Sequence, residues 1–196
     1  MSPKATRDLV NPEKMDTTPL RRPDWIKVHA PSGETYAWLK ELMQRKELHT
    51  VCEEANCPNM GECWGSGTAT FLVLGDICTR RCGFCDVQRG MPLPLDEEEP
   101  QRVAQAVKAM ELKHAVITSV DRDDDILGGA RIFAAIIRSI RTAAPGCSVE
   151  VLIPDFRADP EALRLIMAEK PDILNHNVET VPRLYQRVQP QDHHEW

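Results

Sequence analysis

The stretch Pro100-Gln101-Arg102-Val103-Ala104-Gln105-Ala106-Val107-Lys108-Ala109-Met110-Glu111-Leu112-Lys113-His114-Ala115-Val116-Ile117-Thr118 decides the fold. Proline suits the first turn of a helix, and Val103, Ala106, Val107 and Met110 recur at helical spacing. A short apolar run, His114 to Thr118, follows with no polar alternation. Helix then strand is the reading. The unit recurs downstream. Ile132, Phe133, Ile136, Ile137 and Ile140 stripe a second helix before a strand at Val149 to Ile153. Asp159-Pro160-Glu161 opens a third helix, with Leu163, Ile166 and Met167, before Ile173 to Asn175. A last helix is expected from about Val181, running through Pro182 to Val188 and beyond.

Upstream, Phe71 to Leu74 supplies a first strand, which makes four. Helices between strands imply right-handed crossovers and a parallel sheet, and unalternated apolar strands suggest cover on both faces. Four such strands fit either a doubly wound sheet or part of a β/α barrel. In both, ligands belong at the carboxyl ends of the strands. The segments leaving those ends are polar: Asp76 to Asp86, Ser119 to Asp125, Asp155 to Arg157 and His176 to Thr180.

The amino-terminal third reads differently. Pro3, Pro12, Pro19, Pro23 and Pro31 interrupt residues 1–31, so an extended arm is expected there. Ser32 offers a helix cap, and Trp38, Leu39, Leu42 and Met43 form an apolar stripe on a helix ending near His49. The chain of 196 residues is 42% hydrophobic and 28% charged, with a net charge of -6. That composition supports a folded core and lacks the basic footprint of a nucleic-acid binder. With no signal peptide or apolar run long enough to span a bilayer, a cytoplasmic protein without a membrane partner is expected.

Six of the seven cysteines lie between Cys52 and Cys85. In a reducing compartment, clustered thiols point to metal ligation rather than disulfides. Cys78, Cys82 and Cys85 form a C-x3-C-x2-C triplet in the loop after the first strand. Three thiolates in one tight loop can hold three irons of a cubane cluster and leave the fourth iron open to chelate a small molecule. Arg80 and Arg81, between the ligands, are expected to offset the charge of cluster and thiolates, and Gly83 to permit close approach of backbone N–H groups. A zinc knuckle is the alternative, but structural zinc commonly takes its four ligands as two short pairs. Here there are two triplets of unequal spacing, the other being Cys52, Cys57 and Cys63.

The C-x3-C-x2-C spacing resembles the radical S-adenosylmethionine signature. Together with Cys52-Glu53-Glu54-Ala55-Asn56-Cys57-Pro58-Asn59-Met60-Gly61-Glu62-Cys63-Trp64, Gly67-Thr68-Ala69-Thr70-Phe71, Thr118-Ser119-Val120-Asp121-Arg122-Asp123-Asp124 and Asn175-His176-Asn177-Val178-Glu179-Thr180, it resembles the lipoyl synthases from about Arg22 onward. The resemblance implies a partial (β/α) barrel of radical SAM type with a Cys-rich extension, here its first four strands. It divides the chain into an arm (1–31), a helix with an auxiliary cluster motif (32–70) and the barrel (71–196).

The resemblance also implies two 4Fe-4S clusters and S-adenosyl-L-methionine. Cys78, Cys82 and Cys85 would hold the catalytic cluster, whose reduction by a low-potential donor such as ferredoxin or flavodoxin gives a 5′-deoxyadenosyl radical. Cys52, Cys57 and Cys63 would hold the auxiliary cluster, the sulfur source for C6 and C8 of an octanoyl chain. That chain would be carried by lipoyl domains of 2-oxoacid dehydrogenase E2 subunits or by the glycine cleavage H protein. A biotin synthase-like enzyme fits less well, since its second cluster draws on later strands. A zinc-stabilised binding module without activity is the reading from another class.

Lipoyl synthases are longer and take a fourth auxiliary ligand from an Arg-Ser-Ser-Tyr segment, which this sequence lacks. The sequence therefore reads as a fragment or an inactive truncation. Among the remaining residues, Thr118, Ser119, Asn175, Asn177 and Glu179 leave strand ends and are candidates to contact S-adenosylmethionine; capping the next helix is the competing role. The acidic run Asp121 to Asp125 reads as a solvated loop rather than a cation site, because Arg122 interrupts it. Cys147 reads as a small buried residue, His193 and His194 as surface, and Glu97, Glu98 and Glu99 as charge favouring the helix N-terminus.

Overall fold

The computed structural model describes residues 34–54 and 57–193. The expected arm over 1–31, the Ser32 cap and His194 lie outside the described residues. The chain begins with helix α1 (Glu34–Arg45), strand β1 (His49–Thr50) and the short helices α2 (Val51–Glu54) and α3 (Met60–Ser66). Strand β2 (Thr68–Val73) leads into a loop carrying β3 (Ile77–Cys78) and β4 (Gln88–Arg89). Then come α4 (Glu99–Ala109), β5 (His114–Ser119), α5 (Ile126–Ala143), β6 (Ser148–Leu152), α6 (Pro160–Ala168) and β7 (Ile173–Asn175). A 3-10 turn (Pro182–Leu184) and α7 (Tyr185–Val188) close the described chain.

Two of the helices, α5 and α6, start on carboxylate caps. The Asp125 carboxylate accepts from the Gly128 N–H at 2.9 Å, and the Asp159 carboxylate accepts from the Glu161 N–H at 2.8 Å, each covering an otherwise unpaired donor. Gly128 leaves room for its cap: a Cβ there would lie 2.1 Å from Asp125 Oδ2.

Strands β2, β5, β6 and β7 are parallel neighbours in chain order, with β1 added antiparallel to β2 at the edge. Register aligns Phe71, Ile117 and Val151 in one row, all fully buried against α4, α5 and α6. The other face carries Thr70, Val116, Thr118, Glu150 and Leu152, which are only partly covered. A doubly wound sheet would reverse its strand order and cover both faces. Sequential order with helices on one side is instead the wall of a β/α barrel, whose concave face looks inward. The expectation of strands covered on both faces therefore fails on that inner side. Burying Ile136, Ile137, Ile140 and Phe133 of α5 completely contributes roughly 1.5–3 kcal/mol per side chain.

Three other expectations are corrected. Helix α1 ends at Arg45, because Glu47 takes a left-handed backbone (φ 50°) and His49 then pairs with Leu72 as strand. Trp38 is 41% exposed, while Leu39, Leu42 and Met43 alone form the buried stripe. The last helix stops at Val188, and the chain turns back at Gln189.

Candidate functional site

Past the end of β2 the backbone enters left-handed conformations at Leu74 (φ 70°) and Gly75 (φ 93°). Leucine adopts that region at a cost, and two buried side chains hold it there. The Leu74 N–H donates to the Glu99 carboxylate at 3.0 Å, and its carbonyl accepts from the Arg122 guanidinium at 3.1 Å. This reversal launches the cysteine loop. Its two ends are then tied together by β3 pairing with β4, and by the Gly90 N–H donating to the Cys78 carbonyl at 3.1 Å.

Within the loop, Arg80 is the hub. Its side chain, 3% exposed, makes paired hydrogen bonds to Asp123 (2.9 and 2.7 Å) and to Asp155 (2.5 and 2.6 Å). Asp121 and Asp192 stand 3.5 and 3.9 Å away. Burial works against the charge on Arg80, yet the Asp155 and Asp123 bonds outweigh it and hold the guanidinium more firmly protonated than an ordinary arginine. Burial also works upward on Asp155, but Arg80 holds that carboxyl far below the usual range. Asp121 is pushed up by burial to about 6. Asp192 is pushed up to about 7, first by burial and then by its hydrogen bond to Asp155.

Two expectations fall here. Arg80 is engaged by carboxylates and is not free to offset a cluster. The acidic run is no solvated loop: Asp121 and Asp123 face Arg80, Asp125 caps α5, and the Arg122 side chain is 4% exposed and bonded to Leu74, Leu93 and Asp124. The cation that does bind the cysteine loop is Arg89, which donates to the Cys82 and Cys85 carbonyls at 2.9 and 3.0 Å. Arg81 is exposed.

A cavity of about 350 Å³ opens at the carboxyl ends of the strands, lined by Cys78, Cys82 and Cys85. Thr118, Ser119, Asn177 and Glu179 line it as well. Asn175 does not; its amide donates to Glu150, which also pairs with His114 on the inner face. The Cys78 sulfur accepts the Arg80 and Asp121 N–H groups, both at 3.4 Å, and the Cys82 sulfur accepts from Gln189 Nε2 at 3.9 Å. Such donors favour thiolates, opposing the burial that pushes Cys78 and Cys82 upward. Among the described residues, three buried side-chain polar atoms lack a partner: Ser119 Oγ, Gln189 Oε1 and Trp64 Nε1. Ser119 and Gln189 both line this cavity, so the protein leaves polar capacity there for a bound molecule.

Sequence reasoning missed Arg89, Asp155, His176, Gln189 and Asp192 in this wall. Asp155 and His176 carried a signal, since both begin polar segments after strands. Gln189 carried none.

The other triplet sits on helices. Cys52 lies on α2 and Cys63 on α3, with Cys57 in the turn between, its N–H bonded to the Cys52 carbonyl at 2.9 Å. Burial, then the Cys52 and Cys57 thiols, push Cys63 upward, so the three share one neighbourhood. Val51, beside Cys52, reaches the wall of the main cavity. Among the described residues no three His, Cys, Asp or Glu side chains converge on a single-ion site. A cubane cluster makes no such demand, since each thiolate takes a separate iron. At the strand-end cavity, three thiols, N–H donors on two of the sulfurs and unpartnered polar atoms beside them fit an iron-sulfur cluster with a polar cosubstrate.

The model of the Radical SAM superfamily matches residues 72–196. The model described as the N-terminal domain of lipoyl synthase of that family matches residues 3–57. The chain belongs to the radical SAM superfamily. The lipoyl synthase of Koribacter versatilis is 54% identical over 96% of this chain and 60% of its own length. Those of Chloroflexus aggregans and Rubrobacter xylanophilus are 56% and 59% identical, over 93% and 87% of this chain and 60% and 53% of theirs. The chain thus spans little more than half the length of the lipoyl synthases it matches. Membership of the radical SAM superfamily implies an iron-sulfur cluster and S-adenosylmethionine. Among the described residues no helix is long and apolar enough to cross a membrane.

Proposed function

We propose that this chain carries the catalytic core of a lipoyl synthase, which inserts two sulfur atoms at C6 and C8 of a protein-bound octanoyl chain. The observation that carries the reading is the strand-end cavity, where three thiols of C-x3-C-x2-C spacing meet unpartnered buried polar groups. In this reading Cys78, Cys82 and Cys85 hold a catalytic 4Fe-4S cluster, and Cys52, Cys57 and Cys63 an auxiliary one. When bound, the clusters and S-adenosylmethionine supply the electron, the hydrogen-abstracting radical and the sulfur that side-chain acid-base chemistry cannot.

The chain's own residues place and protect. The Arg80 and Asp121 N–H groups keep the Cys78 sulfur in its ligand orientation, and Arg80 with its carboxylates fixes the loop before any cluster arrives. Leu72, Val87, Leu152 and Ile153 give the cavity an apolar wall that excludes water from a reactive centre. Thr118, Ser119, Asn177 and Glu179 supply polar contacts for the cosubstrate, whereas Asn175 serves the inner face.

Of the three expected segments, the arm (1–31), the auxiliary segment (32–70) and the barrel portion (71–196), the last two would divide sulfur supply from radical formation. The partners are octanoylated E2 lipoyl domains or H protein and a ferredoxin- or flavodoxin-type donor, in a cytoplasm that keeps the seven thiols free. Anaerobic reconstitution with iron and sulfide tests this. The expected product is brown, with two clusters per chain, and releases methionine and 5′-deoxyadenosine from S-adenosylmethionine under reduction. A colourless protein holding zinc alone would overturn it.

A further inference from the structure

The segment Tyr185 to Asp192 folds back over the cysteine loop. The Gly83 N–H donates to the Val188 carbonyl at 2.7 Å, and the Arg81 N–H donates to Gln191 Oε1 at 2.8 Å. Gln189 is fixed between them: its N–H donates to the Tyr185 carbonyl at 2.7 Å, and its carbonyl accepts from the Asp192 N–H at 3.1 Å. Its side chain is therefore delivered to one place, 9% exposed, in the wall of the cavity.

The two ends of that carboxamide face different needs. Nε2 stands 3.9 Å from the Cys82 sulfur, and a thiolate accepts hydrogen bonds, so the amide must present nitrogen and not oxygen to it. That choice turns Oε1 away from Cys82, where it is buried with no donor. An amide oxygen left so in a cavity wall is costly unless a bound molecule supplies an N–H or O–H. S-adenosylmethionine has such donors on its amine, its adenine and its ribose.

We propose that Gln189 contacts the cosubstrate directly, its Nε2 holding the Cys82 thiolate while its Oε1 accepts a hydrogen bond from S-adenosylmethionine. This rests on the function proposed above and adds a residue to it. One side chain then couples cosubstrate binding to the electronics of a cluster ligand, since N–H donors to ligating sulfur raise a cluster's reduction potential.

The test uses the anaerobically reconstituted protein, wild type against Gln189→Leu and Gln189→Glu. S-adenosylmethionine binding is measured by equilibrium dialysis with the cluster kept oxidised, and the cluster potential by EPR-monitored titration. Gln189→Leu is expected to weaken binding by about fivefold to tenfold and to make the potential more negative. Gln189→Glu keeps an acceptor and loses the donor, so binding should stay at or above wild type while the potential still falls. Should the leucine variant fail to take up iron, the glutamate variant decides alone. A leucine variant with wild-type affinity, or a glutamate variant whose potential is unchanged, would overturn the assignment while leaving the function standing. A wild-type cluster with no affinity for S-adenosylmethionine would remove both.

Discussion

The two cysteine triplets are built on opposite principles. Cys78, Cys82 and Cys85 sit on a loop of mostly irregular backbone, and charge holds it: one buried guanidinium, four carboxylates, and Arg89 on two carbonyls. Cys52, Cys57 and Cys63 sit on and between two short helices, and packing holds them. Cys52, Met60 and Trp64 belong to the same core as Leu39, Met43 and Leu48, and Trp64 lies against Tyr36 with ring centroids 5.7 Å apart. A loop shaped by ion pairs answers to changes of charge, and one shaped by packing answers to changes of volume.

The largest effect should come from the thiols themselves. Cys82→Ala is expected to abolish reductive cleavage of S-adenosylmethionine, while Cys57→Ala spares cleavage and stops sulfur insertion. Cleavage surviving Cys82→Ala would merge the two sites into one description. Next come the supports. Arg80→Met strands buried carboxylates and should cost about 3–5 kcal/mol in urea unfolding, with iron lost from the loop first. Met43→Ala, at a fully buried position, should cost roughly 2–5 kcal/mol and lower iron at the Cys52, Cys57 and Cys63 triplet instead. Identical iron losses in both variants would erase the contrast.

Smaller effects refine the electrostatic side. Glu99→Ala removes the acceptor that holds Leu74 and should cost about 1–3 kcal/mol. Burial raises the Glu99 pKa above its unfolded value, so its contribution is full in acid and fades as pH rises through the folded value. Glu99→Gln should therefore gain on wild type in thermal melts as pH rises above the ordinary glutamate range, and a constant gap would contradict the burial argument. Asp125→Ala, which uncaps α5 behind the acidic run, should lower stability by only about 1 kcal/mol, seen as a modest shift of the urea midpoint.

Much of this was legible in advance where the signal is local. The four parallel strands and their helices follow from apolar runs and stripes, and the grouping of Cys78, Cys82 and Cys85 at one strand end follows from their spacing. Half-barrel against doubly wound sheet turns on strand order, which periodicity does not encode. Strand β1, two residues long, is too short to show a pattern. The Arg80 hub was hidden because its partners Asp123 and Asp155 lie 43 and 75 residues away. Interruption by Arg122 made the acidic run look solvated, when Arg122 is itself buried. Asn175 shares the inner face with Thr118 and Leu152, but its amide is engaged by Glu150, 25 residues away in sequence, which no local pattern reveals.

The fold-back of Gln189 onto Cys82 spans 107 residues, which gives it a meaning during synthesis. At roughly 5–20 residues per second, the thiols of the cysteine loop emerge about 5–20 s before the segment that covers them. For that interval the nascent loop carries its thiols without the segment that later covers them, open to oxidants. Once Val188 and Gln189 settle over Gly83 and Cys82, the loop gains a backbone bond and a sulfur contact that an unfinished chain lacks.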